Sequence, residues 1–149
     1  MATTNVARDI MTKDPKIMKV DDRVIDIAKC FAEENIGAVI ICNDENRLQG
    51  MITDRDLAVE VLAQGKDPQS VTAGELVDGT EVVTIGADDS IDEAIDTMKD
   101  HAVRRLPVID GDQVIGVVSQ GDLALHADDT QVGRLVEVIS AQPDNTGRG

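Results

Sequence analysis

The chain has 149 residues, 42% of them hydrophobic, and a formal net charge of −15. That length suits one domain or two small, intimately packed halves, and with Phe31 as the single aromatic residue the core has to be built from Val, Ile, Leu, Met and Ala. An acidic surface of this strength argues against nucleic acid or anionic lipid as a partner, and no apolar run approaches the roughly 20 residues that cross a bilayer.

The chain starts Met1-Ala-Thr-Thr-Asn5, without a basic stretch followed by an apolar one, so no signal peptide and a cytoplasmic location are expected. A small helix is predicted over 7–11 and a short strand over 17–20. From 21 to 34, Val24, Ile27, Ala28 and Phe31 recur at i, i+3, i+4 and i+7, which is one face of an amphipathic helix. A strand over 38–42 follows, then a polar turn over 43–46, a strand over 48–53 and a helix from 56 to 63 stopped by Gly65. After a polar linker at 65–70 the same order returns. A small helix over 72–77 opens on a Thr72/Glu75 capping box, and a strand spans 82–85. A helix over 88–98 carries Ile91, Ala94, Ile95 and Met98 on one face and a Ser90/Glu93 capping box at its start. Strands over 106–109 and 114–119 flank the turn 110–112, and a shorter helix ends near 126. An amphipathic segment at 131–139 and a frayed tail at 142–149 close the chain.

The order repeats because the sequence repeats. Gly50-Met-Ile-Thr-Asp-Arg-Asp-Leu-Ala58 returns as Gly116-Val-Val-Ser-Gln-Gly-Asp-Leu-Ala124, and an internal repeat of this kind sets the architecture. The expected fold class is α+β (α/β), each half reading strand, helix, strand, strand, helix. Domains are expected at 1–67 and 68–130, with a C-terminal helix and flexible tail over 131–149. Cys30 and Cys42 lie among apolar neighbours and read first as buried free thiols. A disulfide, or a metal site shared with His101 or His126, is the alternative, although no Cys-x-x-Cys or His-x-x-x-His spacing supports a metal. Both histidines read as solvated or cap-like.

Three marks together resemble a tandem pair of CBS (cystathionine-β-synthase-type) domains, a Bateman module. They are Arg8-Asp-Ile-Met-Thr12, Arg104-Arg-Leu-Pro-Val-Ile-Asp110, and the two Gly-x-x-Thr/Ser-x-x-Asp-Leu segments. The resemblance covers about residues 6 to 127, and the layout is similar to that of short stand-alone CBS-pair proteins of the stress- or hypoxia-associated kind in actinobacteria. It implies two repeats packed sheet to sheet about a pseudo-twofold axis, with clefts for AMP, ADP, ATP, NAD(H) or S-adenosylmethionine. It further implies a homodimer, a regulatory role without chemistry, and no required cofactor. The nucleotide-binding positions it implies are Ile17, Gly37, Ala38, Thr53, Asp54, Arg55 and Asp56, with Thr84, Arg105, Ser119 and Asp122 in the second repeat.

Elementary chemistry agrees with several of these positions. Thr53 sits where a strand becomes a helix, a place where unpaired amides favour phosphate. Asp56 can accept hydrogen bonds from both ribose hydroxyls, and Arg55 supplies positive charge amid acidic surroundings. Adenine would meet the backbone near Ile36, Gly37 and Ala38, where Gly37 permits close approach. The competing reading is that Thr/Ser-x-x-Asp is an ordinary capping box. Ser119 and Asp122 repeat the pattern, but Gln120 and Gly121 replace Asp54 and Arg55, so any local cation there has to be Arg104 or Arg105. Those two arginines otherwise read as salt-bridge partners of the abundant carboxylates. AMP is expected over ATP because so acidic a chain offers little to neutralise three phosphates. Signalling would run through contact with another protein, by a ligand-driven shift of population. The alternatives are a ligand-free interaction or scaffold module and, least supported, an enzyme or metal protein. No nucleophile–base pair or ligand cluster points to the last.

Overall fold

The computed structural model describes residues 5–141, with side chains through residue 137. In chain order the elements are α1 (Ala7–Ile10), β1 (Thr12–Lys13), β2 (Ile17–Lys19), α2 (Val24–Glu34), β3 (Ala38–Cys42), β4 (Leu48–Thr53) and α3 (Asp54–Asp56), which continues as a π-helical stretch over Leu57–Leu62. The second half has α4 (Ala73–Val77), β5 (Ile85–Gly86), α5 (Ile91–His101), β6 (Arg105–Asp110), β7 (Gln113–Ser119), α6 (Gln120–His126) and α7 (Asp129–Ala141). The fold is α+β, with one sheet ordered β2-β3-β4 and the other β1-β7-β6-β5. The expected tail at 142–149 lies outside the described residues.

Two compact units result, each combining the body of one repeat with the opening segment of the other. Pro15–Val82 forms one unit, whereas the segment ending at Asp14 joins the one beginning at Val83. The repeats have therefore exchanged their opening segments. In the second unit the amides of Ala7 and Arg8 donate to the carbonyls of Asp89 and Ala87, both at 2.8 Å. In the first, the amides of Ala73 and Gly74 donate to Asp22 and Val20 at 2.7 and 2.9 Å. The same two bonds are made each time to the turn that precedes the long helix. Arg8 reinforces its dock by reaching Asp110 at 3.3 Å and Asp88 at 3.5 Å.

The exchange explains the glycine of the repeated signature. A Cβ at Gly50 would stand 2.8 Å from Cγ1 of Val77, on α4. One at Gly116 would run into Met11 and lie 2.8 Å from the Thr12 carbonyl oxygen. Both glycines make room for the exchanged segment, which is a packing role.

Each unit has its own apolar core. In the first, Val24, Ile27 and Cys30 of α2 pack with Val39, Ile41, Ile52, Leu57 and Val61. Phe31 is only partly buried against them. In the second, the predicted face Ile91, Ala94, Ile95 and Met98 is buried in full with Leu106, Val108, Val118 and Leu123. Strand β2 pairs parallel with β3, with Ile17 opposite Ile40, and the Ile40 amide donates to the Lys16 carbonyl at 2.9 Å. The corresponding strand expected at 82–85 shrinks to Ile85–Gly86. Register explains the loss: Val108 and Gly116 pair as Ile41 and Gly50 do, which puts Pro107 in the place of Ile40. Proline has no N–H to donate, so the pairing starts later.

The long helices end alike, on left-handed Asn35 (φ 55°) and Ala102 (φ 54°). The C-terminal helix α7 exceeds the expected 131–139 at both ends. Asp128 and Gln131 cap it reciprocally at 2.8 and 2.9 Å, and Leu135 enters the second core. Arg134 bonds Asp92 at 2.9 Å and also bonds Asp96, fastening α7 to α5. Among the described residues no helix is long and apolar enough to cross a membrane.

Candidate functional site

The predicted positions fall into two groups, one in each unit, at the junctions where β4 runs into α3 and β7 into α6. At the first junction Ala38 pairs with Thr53 across the hairpin, and the Asp54 amide donates to the Gly37 carbonyl at 3.0 Å. The hairpin thus brings Gly37, Ala38, Thr53, Asp54, Arg55 and Asp56 together. Ile17 opens the neighbouring strand opposite Ile40 and is 40% exposed. It lies two residues along β3 from Ala38, at the margin of the group.

The capping box is present, as the structural alternative required. The Asp56 amide donates to Thr53 Oγ1 at 3.2 Å, and Asp56 Oδ2 accepts from the Thr53 amide at 2.8 Å. This ties down the first helical turn. The cap occupies only one oxygen of the Asp56 carboxylate: Oδ1 has no partner among the described residues. Gly37 also leaves room for the neighbouring carboxylate, since a Cβ there would stand 3.3 Å from Asp54 Oδ2. Asp54 Oδ1 in turn accepts the Arg55 amide at 2.8 Å. The Arg55 Nη2 atom is buried and makes no hydrogen bond among the described residues.

The second junction repeats the frame with different chemistry. Arg105 pairs with Ser119 as Ala38 does with Thr53, and the Gln120 amide donates to the Arg104 carbonyl at 3.1 Å as Asp54 does to Gly37. Arg104 and Arg105 therefore stand where the first junction has Gly37 and Ala38. The cation has moved from the helix to the strand. Arg105 is exposed, and Thr84, in the place of Ile17, lies just before β5 and is half-buried. Asp122 Oδ2 accepts from the Ser119 amide at 2.9 Å and from its hydroxyl at 3.1 Å. It also receives a long bond, 3.5 Å, from the Thr12 hydroxyl. Thr12 is a neighbour that the sequence reading missed. Its only signal was membership of the Arg8–Thr12 mark, whose destination depends on the exchange of segments.

His126 is exposed, with Nδ1 3.1 Å from the Asp122 carbonyl oxygen, as a helix-end residue would be. His101 is exposed at the end of α5. Cys30 and Cys42 are both buried and free. Burial raises the pKa of the Cys42 thiol above the usual thiol range, partly offset by Lys19, which keeps it protonated and unreactive at neutral pH. Among the described residues no three His, Cys, Asp or Glu side chains converge on a point that could hold a metal ion.

Comparison with known proteins gives this arrangement a setting. A sequence profile of the CBS domain matches residues 7–63 and again 73–129. Hypoxic response protein 1 of Mycobacterium tuberculosis is 38% identical over 133 residues, covering 89% of this chain and 92% of the relative. The CBS domain-containing protein YhcV of Bacillus subtilis is 33% identical over 119 residues, covering 80% and 83%. Among solved structures, hypoxic response protein I with two coordinated zinc ions superposes with a TM-score of 0.75 at 39% identity, covering 83% of this chain and all of that one (100%). The CBS domain pair of protein MJ0100, in complex with 5′-methylthioadenosine and S-adenosyl-L-methionine, gives 0.72 at 26% identity, covering 83% and 95%.

Proposed function

The chain belongs to the CBS-domain family, with two copies in tandem, and from that premise we propose that it is a cytoplasmic regulatory module that binds an adenine nucleotide and passes the signal to a partner protein. The carrying observation is the Asp56 carboxylate. It spends Oδ2 on the helix cap and keeps Oδ1 unpartnered among the described residues. A half-used carboxylate at a fixed strand-to-helix junction is what a ribose diol requires, and the cap holds it in place before any ligand arrives. The adenosine-type ligands of the MJ0100 CBS pair support the ligand class. AMP is favoured over ADP, ATP and NAD(H), because 14 basic residues against 29 acidic ones leave little to neutralise a triphosphate. Binding at Thr53, Asp54, Arg55 and Asp56, with Gly37, Ala38 and Ile17 beside them, would favour one conformation over another. The signal then reaches a regulated protein through contact. A homodimer of such modules is part of the proposal, by symmetry of the repeats.

A second reading has its own observation. Both capping boxes are complete without a ligand, so a ligand-free interaction module of the stress response accounts for the motifs as caps alone. Calorimetric titration of AMP into protein unfolded, stripped and refolded separates the two. Saturable binding that Asp56→Ala removes supports the nucleotide module. A flat trace with AMP, ATP and NAD(H) alike leaves the interaction module standing.

A further inference from the structure

Arg55 carries an inference that deepens the nucleotide reading and rests on it. Its Nη2 atom is buried and unpartnered among the described residues, in a chain holding 29 Asp and Glu against 14 Lys and Arg. An arginine in such company has no shortage of carboxylates to pair with. Those on either side of it are turned elsewhere: Asp54 Oδ1 takes the Arg55 backbone amide at 2.8 Å, and Asp56 Oδ2 takes the Thr53 amide at 2.8 Å. A guanidinium is permanently charged, and burying one of its nitrogens without an acceptor is costly. The same fork is well shaped for the oxygens of a phosphate.

We propose that Arg55 makes the first junction selective for adenosines that carry a 5′-phosphate over 5′-thioadenosines. The ligands differ at one position. AMP places a dianion at the 5′ carbon, 5′-methylthioadenosine places a neutral thioether there, and S-adenosylmethionine a sulfonium cation. Arg55 attracts the first, gains nothing from the second and is repelled by the sulfonium of the third, while Asp56 meets the same ribose in all three. The second junction has Gln120 and Gly121 at the equivalent helix positions, so this means of selection belongs to the first junction alone.

The test is calorimetric titration of AMP and of 5′-methylthioadenosine into the wild-type chain, Arg55→Ala and Arg55→Lys, read on the binding event that Asp56→Ala removes. The wild type is expected to prefer AMP by about tenfold or more, the scale of one charged hydrogen bond. Arg55→Ala should lose that preference by weakening AMP alone, and Arg55→Lys should recover part of it. An equal loss for both ligands would show that Arg55 only supports the junction, and a wild-type preference for the thioether would reverse the assignment; either overturns the selectivity while leaving an adenosine site. Binding of neither ligand to the wild type would remove the nucleotide reading itself, and the selectivity with it.

Discussion

The two strand-to-helix junctions share a backbone and differ in how far their acids are committed. At the first, Asp56 Oδ2 accepts one bond, from the Thr53 amide. At the second, Asp122 Oδ2 accepts from the Ser119 amide, the Ser119 hydroxyl and, at 3.5 Å, the Thr12 hydroxyl. The exchange of opening segments accounts for part of this. Met11 faces Gly116 as Val77 faces Gly50, so Thr12 occupies the place that Asp78 holds in the other unit. One neighbour can donate to a carboxylate and the other cannot. Repetition of a motif therefore does not entail repetition of its chemistry: the first junction has the less engaged Oδ2 and a half-buried arginine with one buried nitrogen beside it, the second a more engaged Oδ2 with arginines at the opposite strand, and Oδ1 has no partner among the described residues at either.

The largest expected effect breaks the part that the junctions share. Gly116→Ala should destabilise the fold by about 3 kcal/mol, because the added Cβ meets the Thr12 backbone at 2.8 Å and backbone yields least. Gly50→Ala meets a valine side chain instead, at 2.8 Å, and should cost about 1–2 kcal/mol. Urea denaturation of the two variants checks the order, and equal losses would show that the exchanged segments are seated alike. Next comes the acid. Asp56→Ala should weaken AMP by more than about tenfold and lower stability by about 1 kcal/mol through the lost cap. Asp122→Ala should show a similar stability loss with a smaller change in affinity. A larger affinity loss at Asp122, read by calorimetry, would reverse the ranking of the two junctions.

Much of this was legible in the sequence where the argument was local. The 3.6-residue spacing of Ile91, Ala94, Ile95 and Met98 marked a face that is buried in full. The hairpin strands 38–42 and 48–53 match Ala38–Cys42 and Leu48–Thr53, and each Thr/Ser-x-x-Asp forms its reciprocal cap. What failed to show depends on partners far along the chain. The loss of the strand at 82–84 is written in Pro107, more than twenty residues away, and reads as a strand breaker only once the register is known. The π-helical stretch Leu57–Leu62 has the same apolar spacing as an ordinary helix. The move of cations from Arg55 to Arg104 and Arg105 was visible as a change of residues. Their placement opposite Gly37 and Ala38 needed the pairing of β6 with β7.

A smaller effect sharpens the difference between the units by way of α7, which only the second unit carries. Arg134→Ala removes the bonds to Asp92 and Asp96, all from partly exposed groups. Screening keeps such pairs weak, so a loss of about 1 kcal/mol or less is expected, and it should shrink as salt is added. Hydrogen exchange should locate it in α7 and α5, with the amides of α2 unchanged. Uniform acceleration across both units would mean that α7 is part of the global fold and that the second unit does not carry it as a separable brace.

The smallest change compares the helix ends. Asn35 and Ala102 both close a long helix in the left-handed region, where asparagine is tolerated and alanine is strained by its Cβ, at a cost of about 1–2 kcal/mol. Ala102→Gly removes that strain but returns some freedom to the unfolded chain, leaving a net gain of roughly 0.5–1 kcal/mol. Asn35→Gly should do less, since its starting residue already suits the conformation. The two variants differ only in what the native residue costs. A higher denaturation midpoint for Ala102→Gly with little movement for Asn35→Gly would therefore show that the second repeat carries strain at a position where the first does not. Equal shifts would mean that the left-handed turn, and not the residue in it, sets the stability of both ends.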